Sequence, residues 1–365
     1  MSKRIFITVG TRPEAIKMAP LYTTMREFDG LEPILVSTGQ HREMLQQVFD
    51  WFDIEAAEDL AVMTPNQTVT QVMTKSLVGL DKLIDTYEPD AVLAQGDTTT
   101  VMASALAAFN RKIPFGHVEA GLRTYTLDKP FPEEGYRQMA SRVTDWHFAP
   151  TPKAAEALRK EMLSGDIHMV GNTVIDALID TASRATALPV DLGGRRMVLI
   201  TGHRRENHAQ FRRVFEAFVE LASLYPDTVF VYPVHLNPNV KTVADDVLSD
   251  TENFILIPPV SYPEIVALMK SATLIITDSG GIQEEAPSFK VPLLVMRETT
   301  ERQESVEVGA SRLVGTDPDV LIREARALLD SDAARAAMTV DVNPFGDGQS
   351  ARRICEILLK DLSAR

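Results

Sequence analysis

Residues 273–287 read T-L-I-I-T-D-S-G-G-I-Q-E-E-A-P. An apolar, β-branched run ends at a polar turn, and two glycines then open a segment of helix-forming residues. This order is typical of a buried strand followed by a helix in a Rossmann-like unit. Paired glycines let a diphosphate approach the backbone N–H groups at the positive end of a helix. We therefore predict an anion-binding turn at Ser279, Gly280 and Gly281, with an ordinary capped turn as the alternative.

Two charged residues extend this prediction. Glu285 lies one helical turn further on, where its carboxylate is placed to accept hydrogen bonds from ribose hydroxyls. Arg302, in T-T-E-R-Q-E, follows the next apolar run, and its guanidinium is placed to close over phosphates. The stretch thus predicts a nucleotide-binding site rather than a turn alone.

The same alternation of apolar runs and amphipathic segments fills the whole chain. The runs are RIFITVG, EPILVST, DAVLAQGD, IPFGHVEA, WHFAPT and IHMVG, then MVLITGH, TVFVYPVH, FILIPPV, TLIITDSGG and VPLLVMRE. Near-continuous apolar strands separated by helices predict an α/β fold with parallel sheets covered on both faces. The stretch from about residue 181 to 196 has Pro, Gly and no periodicity, which predicts a linker between two doubly wound units.

Composition limits the compartment and the classes of partner. A chain of 365 residues is long enough for two domains, and its net charge of −14 disfavours nucleic acid and anionic membranes. No apolar run is long enough for a membrane span, and residues 5–9 are too few for a signal-peptide core. The single cysteine, Cys355, excludes an intramolecular disulfide and a Cys-based metal cluster. We expect a cytoplasmic protein.

Charged residues follow several of the predicted strands. The first strand runs into G-T-R-P-E-A-I-K-M-A-P at 10–20, which puts Arg12 and Lys17 at a strand-to-helix corner, with two solvated cations as the alternative. This corner lacks the G-x-G-x-x-G pattern, so no dinucleotide cofactor is expected. In G-H-R-R-E-N at 202–207, His203 follows a strand, where an anion or substrate role is favoured over an exposed turn.

Three carboxylates also follow strands or begin a helix. Asp97, in Q-G-D-T-T-T, stands where Asp97 itself or a threonine would cap a helix. Glu119, in G-H-V-E-A-G-L-R-T, belongs to an apolar strand, where a carboxylate needs a partner or a shifted pKa. Glu133, in F-P-E-E, lies in a first helical turn, where interaction with the helix dipole is the alternative to a catalytic role.

Taken together, these motifs resemble the bacterial non-hydrolysing UDP-N-acetylglucosamine 2-epimerases, in the same order from residue 10 to residue 350. Further matches are G-Q-H-R-E-M-L, G-N-T-V-I-D-A-L, V-H-L-N-P-N-V and N-P-F-G-D-G. The resemblance implies a GT-B architecture of two Rossmann-like domains with an interdomain active-site cleft. It implies an N-terminal domain of residues 1–171, joined by the helix at 348–365, and a UDP-binding domain of residues 172–347.

The resemblance also implies the reaction and the site. UDP-GlcNAc and UDP-ManNAc interconvert through a 2-acetamidoglucal, without metal or nicotinamide cofactor, in a homodimer that supplies polysaccharide precursors. Asp97, Glu119 and Glu133 would form the acid–base set, and His203 would serve the departing diphosphate. The implied substrate-binding residues are Arg12, Lys17, Asp97, Glu119, His203, Ile265, Ser279, Gly280, Gly281, Glu285 and Arg302.

Some positions depart from the family pattern. Tyr136 stands in P-E-E-G-Y-R where Asn is usual, Ile265 stands where Phe commonly lies near the uracil, and Gln303 follows Arg302 in place of Pro. A second, regulatory UDP-GlcNAc site is implied near the Q-H-R segment. Its residues here would be Gln40, His41 and Gln67, with Glu43 and Asn66 where Gln and Arg are expected.

Two other functions remain open at this point. A GT-B glycosyltransferase would use the same nucleotide pocket, but it would leave Glu119 and Glu133 without a role. A catalytically silent UDP-sugar-binding protein would gain little from charged groups that cost desolvation. The set of Asp97, Glu119, Glu133 and His203 therefore favours the epimerase.

Overall fold

The structure is a computed structural model that describes residues 2–39, 42–184, 186–202, 210–234 and 237–364. Contacts between residues divide the chain into two compact units. Unit 1 comprises Met1–Ile179 with Phe345–Arg365, and unit 2 comprises Asp180–Pro344. None of the described helices combines the length and the apolar character needed to cross a bilayer.

Unit 1 alternates strands and helices. Its described strands are β1 (Lys3–Val9), β2 (Leu31–Ser37), β3 (Glu58–Asp59), β4 (Ala91–Gln95), β5 (Phe115–Val118), β6 (Trp146–Ala149) and β7 (Asp166–Met169). Its described helices are α1 (Arg12–Arg26), α2 (Arg42–Phe52), α3 (Val69–Tyr87), α4 (Thr99–Asn110), α5 (Glu133–Ser141), α6 (Pro152–Lys160) and, at the end of the chain, α15 (Ser350–Ala364). Helix α7 (Thr173–Ser183) runs from unit 1 into unit 2.

Unit 2 repeats this plan. Its described strands are β8 (Arg196–Thr201), β9 (Thr228–Pro233), β10 (Phe254–Ile257), β11 (Leu274–Thr277), β12 (Leu293–Val295) and β13 (Ser311–Leu313). Its described helices are α8 (Phe211–Leu224), α9 (Pro238–Leu248), α10 (Tyr262–Ser271), α11 (Gly280–Glu285), α12 (Gln303–Glu307), α13 (Pro318–Leu329) and α14 (Asp332–Ala337), with a 3₁₀ turn at Ala286–Phe289.

Both sheets are parallel and doubly wound. Within the described residues, the order is β3-β2-β1-β4-β5-β6-β7 in unit 1 and β10-β9-β8-β11-β12-β13 in unit 2. The order reverses between β1 and β4 and between β8 and β11, and ligands bind outside the carboxyl ends of the strands at such reversals. This confirms the predicted fold class and places the strand-end motifs at the expected edges.

The apolar runs form the cores of the two units. Phe6 of β1 and Phe115 of β5 are buried in unit 1, and Phe230 of β9 and Ile276 of β11 are buried in unit 2. The central strands read as continuous apolar runs because helices cover both faces of each sheet.

Helix α15 belongs to unit 1, where it packs against α1. The Asp176 carboxylate accepts the backbone N–H groups of Ser350 at 3.3 Å and Ala351 at 2.9 Å, which satisfies donors at the start of the helix. Near its other end, Asp361 accepts the indole N–H of Trp146 at 2.9 Å. These contacts fix both ends of a helix whose sequence alone is compatible with either domain.

Candidate active site

The corner between β1 and α1 is organised by a buried carboxylate, that of Glu14. Oε2 of Glu14 accepts the backbone N–H groups of Gly10 at 2.8 Å and Thr11 at 2.6 Å, and Oε1 accepts the hydroxyl of Thr98. Burial raises the pKa of Glu14, although these hydrogen bonds oppose the rise. The side chain therefore ties the loop after β1 to the loop after β4, at the reversal of the sheet. Arg12 begins α1 at this corner and is half-buried.

Asp97 follows Gly96 in the tight turn after β4, where Gly96 has a φ of 86°. The N-cap of α4 is Thr98, whose hydroxyl accepts the N–H of Thr100 at 3.1 Å. A threonine thus provides the predicted cap, and the Asp97 carboxylate accepts a hydrogen bond from Nη2 of Arg137 at 2.5 Å. The capping alternative does not account for Asp97.

Glu119 lies directly after β5 rather than within it, and it has a φ of 62°, in the left-handed region that non-glycine residues seldom adopt. Its side chain is buried. Oε2 accepts hydrogen bonds from Nζ of Lys17 and, at 3.1 Å, from Nδ2 of Asn172. The carboxylate therefore has the partner that its burial requires. That partner, Lys17, is one of the two cations predicted at the first corner, and it is buried rather than solvated.

The start of α5 presents two carboxylates to different surroundings. Glu133 begins the helix and is half-buried, whereas Glu134 is fully buried. The carboxylate of Glu134 accepts the N–H groups of Thr124 at 3.0 Å and Tyr125 at 3.1 Å, and also binds Nη1 of Arg137 at 3.2 Å. Burial raises the pKa of Glu134, but its hydrogen bonds outweigh that cost and hold the pKa below its ordinary value.

A buried histidine supports the turn that carries Asp97. Nε2 of His117, on β5, lies 2.6 Å from the carbonyl oxygen of Gly96. Burial lowers the pKa of His117 to about 4, so the ring is neutral near pH 7 and its Nε2–H donates to that carbonyl. His117, Glu14, Glu134, Arg137 and Asn172 are not among the site residues predicted from sequence.

The turn after β11 in unit 2 has the predicted form. Ser279 is the N-cap of α11, and its backbone N–H donates to Oγ1 of Thr277 at 2.9 Å. A Cβ added to Gly280 would lie 3.1 Å from Cζ of Arg302, whereas one added to Gly281 would meet nothing closer than 3.9 Å. The first glycine thus gives room to the guanidinium, and the second leaves the helix terminus open to a ligand.

Carboxylates and a tyrosine surround this turn. Nε of Arg302 donates to Oε1 of the buried Glu284 at 2.9 Å, which fixes the cation beside Gly280. Glu285 is buried and accepts the hydroxyl of Tyr262 at 2.7 Å. Ile265, on α10, is half-buried, and its N–H donates within the helix to Ser261 at 3.0 Å.

Four of the predicted residues remain to be placed, and the structure describes one of them, Gln67. Gln40, His41 and His203 lie outside the described residues. Gln67 holds its own loop, because Oε1 accepts the N–H of Thr64 at 2.8 Å and Nε2 donates to the carbonyl of Val62 at 2.9 Å. Both polar atoms of the Gln67 amide are thus hydrogen-bonded within this loop.

One group of side chains in the described part of the chain has the spacing of metal ligands. Asp166 and His168 of β7 and Asp361 of α15 bring ligand atoms within 4.8 Å of one another. None of the three predicted catalytic carboxylates belongs to this group. The expectation of a reaction without metal or nicotinamide stays a prediction.

The fold and these side chains define a two-domain Rossmann-like protein of the GT-B class, with a glycine-containing turn after β11 in unit 2 and cation-paired carboxylates in unit 1. The family model described as UDP-N-acetylglucosamine 2-epimerase matches residues 23–359. The chain belongs to the UDP-N-acetylglucosamine 2-epimerase family, as the strand-end motifs predict.

Relatives match over nearly the whole length. A probable UDP-N-acetylglucosamine 2-epimerase from Ralstonia solanacearum is 46% identical over 96% of this chain and 97% of its own. The UDP-N-acetylglucosamine 2-epimerase of Escherichia coli K12 is 44% identical over 97% of this chain and 98% of its own. The crystal structure of the Neisseria meningitidis UDP-GlcNAc 2-epimerase bound to UDP-GlcNAc has a TM-score of 0.92 and 42% identity, covering 98% of this chain and all of that one.

Proposed function

We propose that this protein catalyses the reversible epimerisation of UDP-N-acetylglucosamine at C2 to give UDP-N-acetylmannosamine. Family membership and the relative bound to UDP-GlcNAc support the substrate and the reaction. The observation that carries the proposal is the pairing of two strand-end carboxylates with buried cations in unit 1. Glu119 pairs with Lys17, and Asp97 pairs with Arg137.

The chemistry of the substrate explains the need for several acids and bases. The C2 hydrogen has no adjacent carbonyl group, so loss of that proton alone is too slow. A base removes the C2 proton, and the electron pair of the C2–H bond forms the C1=C2 double bond. The electron pair of the C1–O bond leaves with UDP. UDP then adds back to C1 of the 2-acetamidoglucal, and C2 receives a proton on its other face. Electrons and protons balance without an oxidant or reductant.

Unit 1 supplies the proposed proton transfers. Asp97, Glu119 and Glu133 form the acid–base set, and protons in such a set belong to the group rather than to one residue. Lys17 compensates the negative charge of Glu119, and both side chains are largely buried. His203 is assigned to the departing diphosphate, as hydrogen-bond donor or acid.

Unit 2 supplies the proposed UDP site. The turn at Ser279, Gly280 and Gly281 offers backbone N–H groups to the diphosphate, and Arg302 adds a fixed positive charge. Glu285 accepts ribose hydroxyls, in an orientation that Tyr262 holds by its hydrogen bond. Arg12 is assigned to the sugar and diphosphate side of the nucleotide.

Incubation with UDP-GlcNAc in D₂O, followed by NMR of the sugar, tests the proposal. The expected result is deuterium at C2 of both epimers while UDP stays attached. Sugar released without exchange, or the absence of turnover, contradicts it. Transfer of the sugar to an added acceptor, without exchange at C2, would identify the glycosyltransferase instead.

The assembly and the compartment are further parts of the proposal. A cytoplasmic homodimer that supplies polysaccharide precursors fits the family and the single, buried Cys355. Tyr125, Leu127 and Phe131 lie exposed on one segment of unit 1, which supports an association surface there. Sedimentation of the purified chain as a monomer at micromolar concentration would refute the dimer.

A further inference from the structure

Asn172 lies against Glu119 in unit 1, between β7 and α7. Nδ2 of Asn172 donates to Oε2 of Glu119 at 3.1 Å, and Nζ of Lys17 donates to the same oxygen. The described part of the chain provides no hydrogen-bond donor to the other carboxylate oxygen, Oε1. Both donors therefore bind Oε2, and Oε1 accepts no hydrogen bond from the described residues.

The amide of Asn172 is itself oriented by its neighbours. Oδ1 accepts the backbone N–H of Val174 at 3.1 Å, which assigns the amide oxygen to that side and directs the NH₂ group to Glu119. The backbone N–H of Asn172 donates to the carbonyl oxygen of Phe345 at 2.7 Å. Asn172 is also fully enclosed. Its side chain is thus a fixed donor rather than a freely rotating one.

Two glycines let the chain segments around Asn172 approach each other. Gly171 has a φ of 93°, and a Cβ there would lie 2.6 Å from Oγ of Ser350. Gly346 has a φ of 155°, and a Cβ there would lie 3.3 Å from the backbone nitrogen of Asn172. The N-P-F-G-D-G motif therefore supports Asn172 from the segment where the chain re-enters unit 1.

We infer that Asn172 is a positioning residue that holds Glu119 through Oε2 so that Oε1 carries the C2 proton. An amide NH₂ group donates but does not release a proton near pH 7, so Asn172 fixes the carboxylate without competing for the substrate proton. A carboxylate on a side chain with rotatable bonds gains catalytic value from such orientation. The inference rests on the proposed function, since it assigns a direction to the proton transfer proposed there.

The variants Asn172→Ala and Asn172→Asp test the inference. Asn172→Ala removes the donor, and kcat is expected to fall on the order of 10- to 100-fold with little change in KM. Asn172→Asp keeps the size but sets a second carboxylate beside Glu119. Two carboxylates in contact share a proton tightly, so the acid limb of the pH–rate profile is expected to move up by roughly one pH unit or more.

Asn253→Ala is the matched control. Asn253 is a buried asparagine of unit 2 whose Nδ2 donates to the carbonyl oxygens of Ala222, Tyr225 and Thr228. The Asn253→Ala substitution is expected to lower the unfolding temperature while leaving kcat and the pH–rate profile unchanged.

The outcomes separate the inference from the function on which it rests. If wild type exchanges C2–H in D₂O but both Asn172 variants keep its kcat and pH profile, the inference is wrong. If wild type does not exchange, the proposed function itself fails. If Asn172→Ala does not fold, the pH profile of the isosteric Asn172→Asp decides, and an unmoved acid limb overturns the inference.

Discussion

The guanidinium of Arg137 joins Asp97 to Glu134 across two elements of unit 1. Nη2 lies 2.5 Å from Oδ2 of Asp97, and Nη1 lies 3.2 Å from Oε2 of Glu134. Arg137 and Glu134 are buried, whereas Asp97 is half-exposed. One cation thus neutralises a buried carboxylate and orients another that is half-exposed. The planar fork of arginine suits this double role, because its nitrogens bond in fixed directions.

Arg137→Lys should separate the charge of this residue from its geometry. Lysine keeps the positive charge but lacks the fork, so it does not bind both carboxylates in the same directions. We expect kcat for epimerisation to fall on the order of 10- to 100-fold, with UDP affinity within about twofold of wild type. Steady-state kinetics and UDP titration calorimetry measure the two effects. Equal losses of kcat and UDP affinity would show that Arg137 does not act through Asp97.

Glu119→Gln should remove the proton acceptor and keep the shape of the side chain. We expect deuterium exchange at C2 to fall on the order of 10²- to 10⁴-fold while UDP still binds. Glu156→Gln is the control, because Glu156 is an exposed carboxylate of α6 paired with Lys160 at 2.7 Å. If the Glu119 variant unfolds, the residue is structural. If it folds and exchanges at the rate of the control, Glu119 is not the proton acceptor.

The strand-end sites are the part of the molecule that the sequence predicts well. An apolar parallel strand has to end at the sheet edge where ligands bind, so Asp97, Glu119 and Ser279 are placed by pattern alone. The requirement that the buried Glu119 have a partner also follows from sequence. The identity of that partner does not, because Lys17 lies on α1, 102 residues away, and meets Glu119 only through tertiary packing of α1 against the turn after β5.

The phase of helix α5 explains why Glu134 points inward and Glu133 does not. Glu133 and Glu134 are adjacent at the start of α5, but Glu134, Arg137 and Ser141 share the buried face at positions i, i+3 and i+7. That spacing is visible in the sequence and identifies Glu134 as the inward carboxylate. Strands β3 and β13, of two and three residues, are too short to show any periodicity. The sequence pattern therefore does not predict them.

Glu14→Gln should change how stability depends on pH. Burial raises the pKa of Glu14 in the folded state, so its contribution to stability is present below about pH 4.5 and is lost as pH rises through the folded-state pKa. Glutamine mimics the protonated acid, and the hydroxyl of Thr98 can accept its NH₂ group. We therefore expect the variant to gain stability relative to wild type as pH rises.

Tryptophan fluorescence during urea unfolding measures this difference within unit 1, because both tryptophans, Trp51 and Trp146, lie there. The free energy of unfolding is compared for both proteins at pH 4.5 and pH 7.5. If the difference in the free energy of unfolding between wild type and variant is the same at both pH values, Glu14 has the same pKa in the folded and the unfolded chain.

His147→Phe should protect unit 1 against acid. His147 is fully buried on β6, and neither ring nitrogen has a hydrogen-bond partner among the described residues. Burial lowers the pKa of His147 to about 3. Below pH 6.5 the imidazole therefore becomes protonated in the unfolded chain but stays neutral in the folded chain until the pH approaches 3. Stability is therefore lost as pH falls from about 6.5 toward 3. At pH 4.5 the loss of stability from this residue is about 2–3 kcal/mol, at 1.36 kcal/mol per pH unit.

Phenylalanine does not titrate, so the His147→Phe variant is expected to lack this loss of stability. Urea unfolding followed by tryptophan fluorescence at pH 7.5 and pH 4.5 measures it, with pH 7.5 as the reference where both side chains are neutral. An equal fall in the free energy of unfolding for wild type and variant would contradict the prediction.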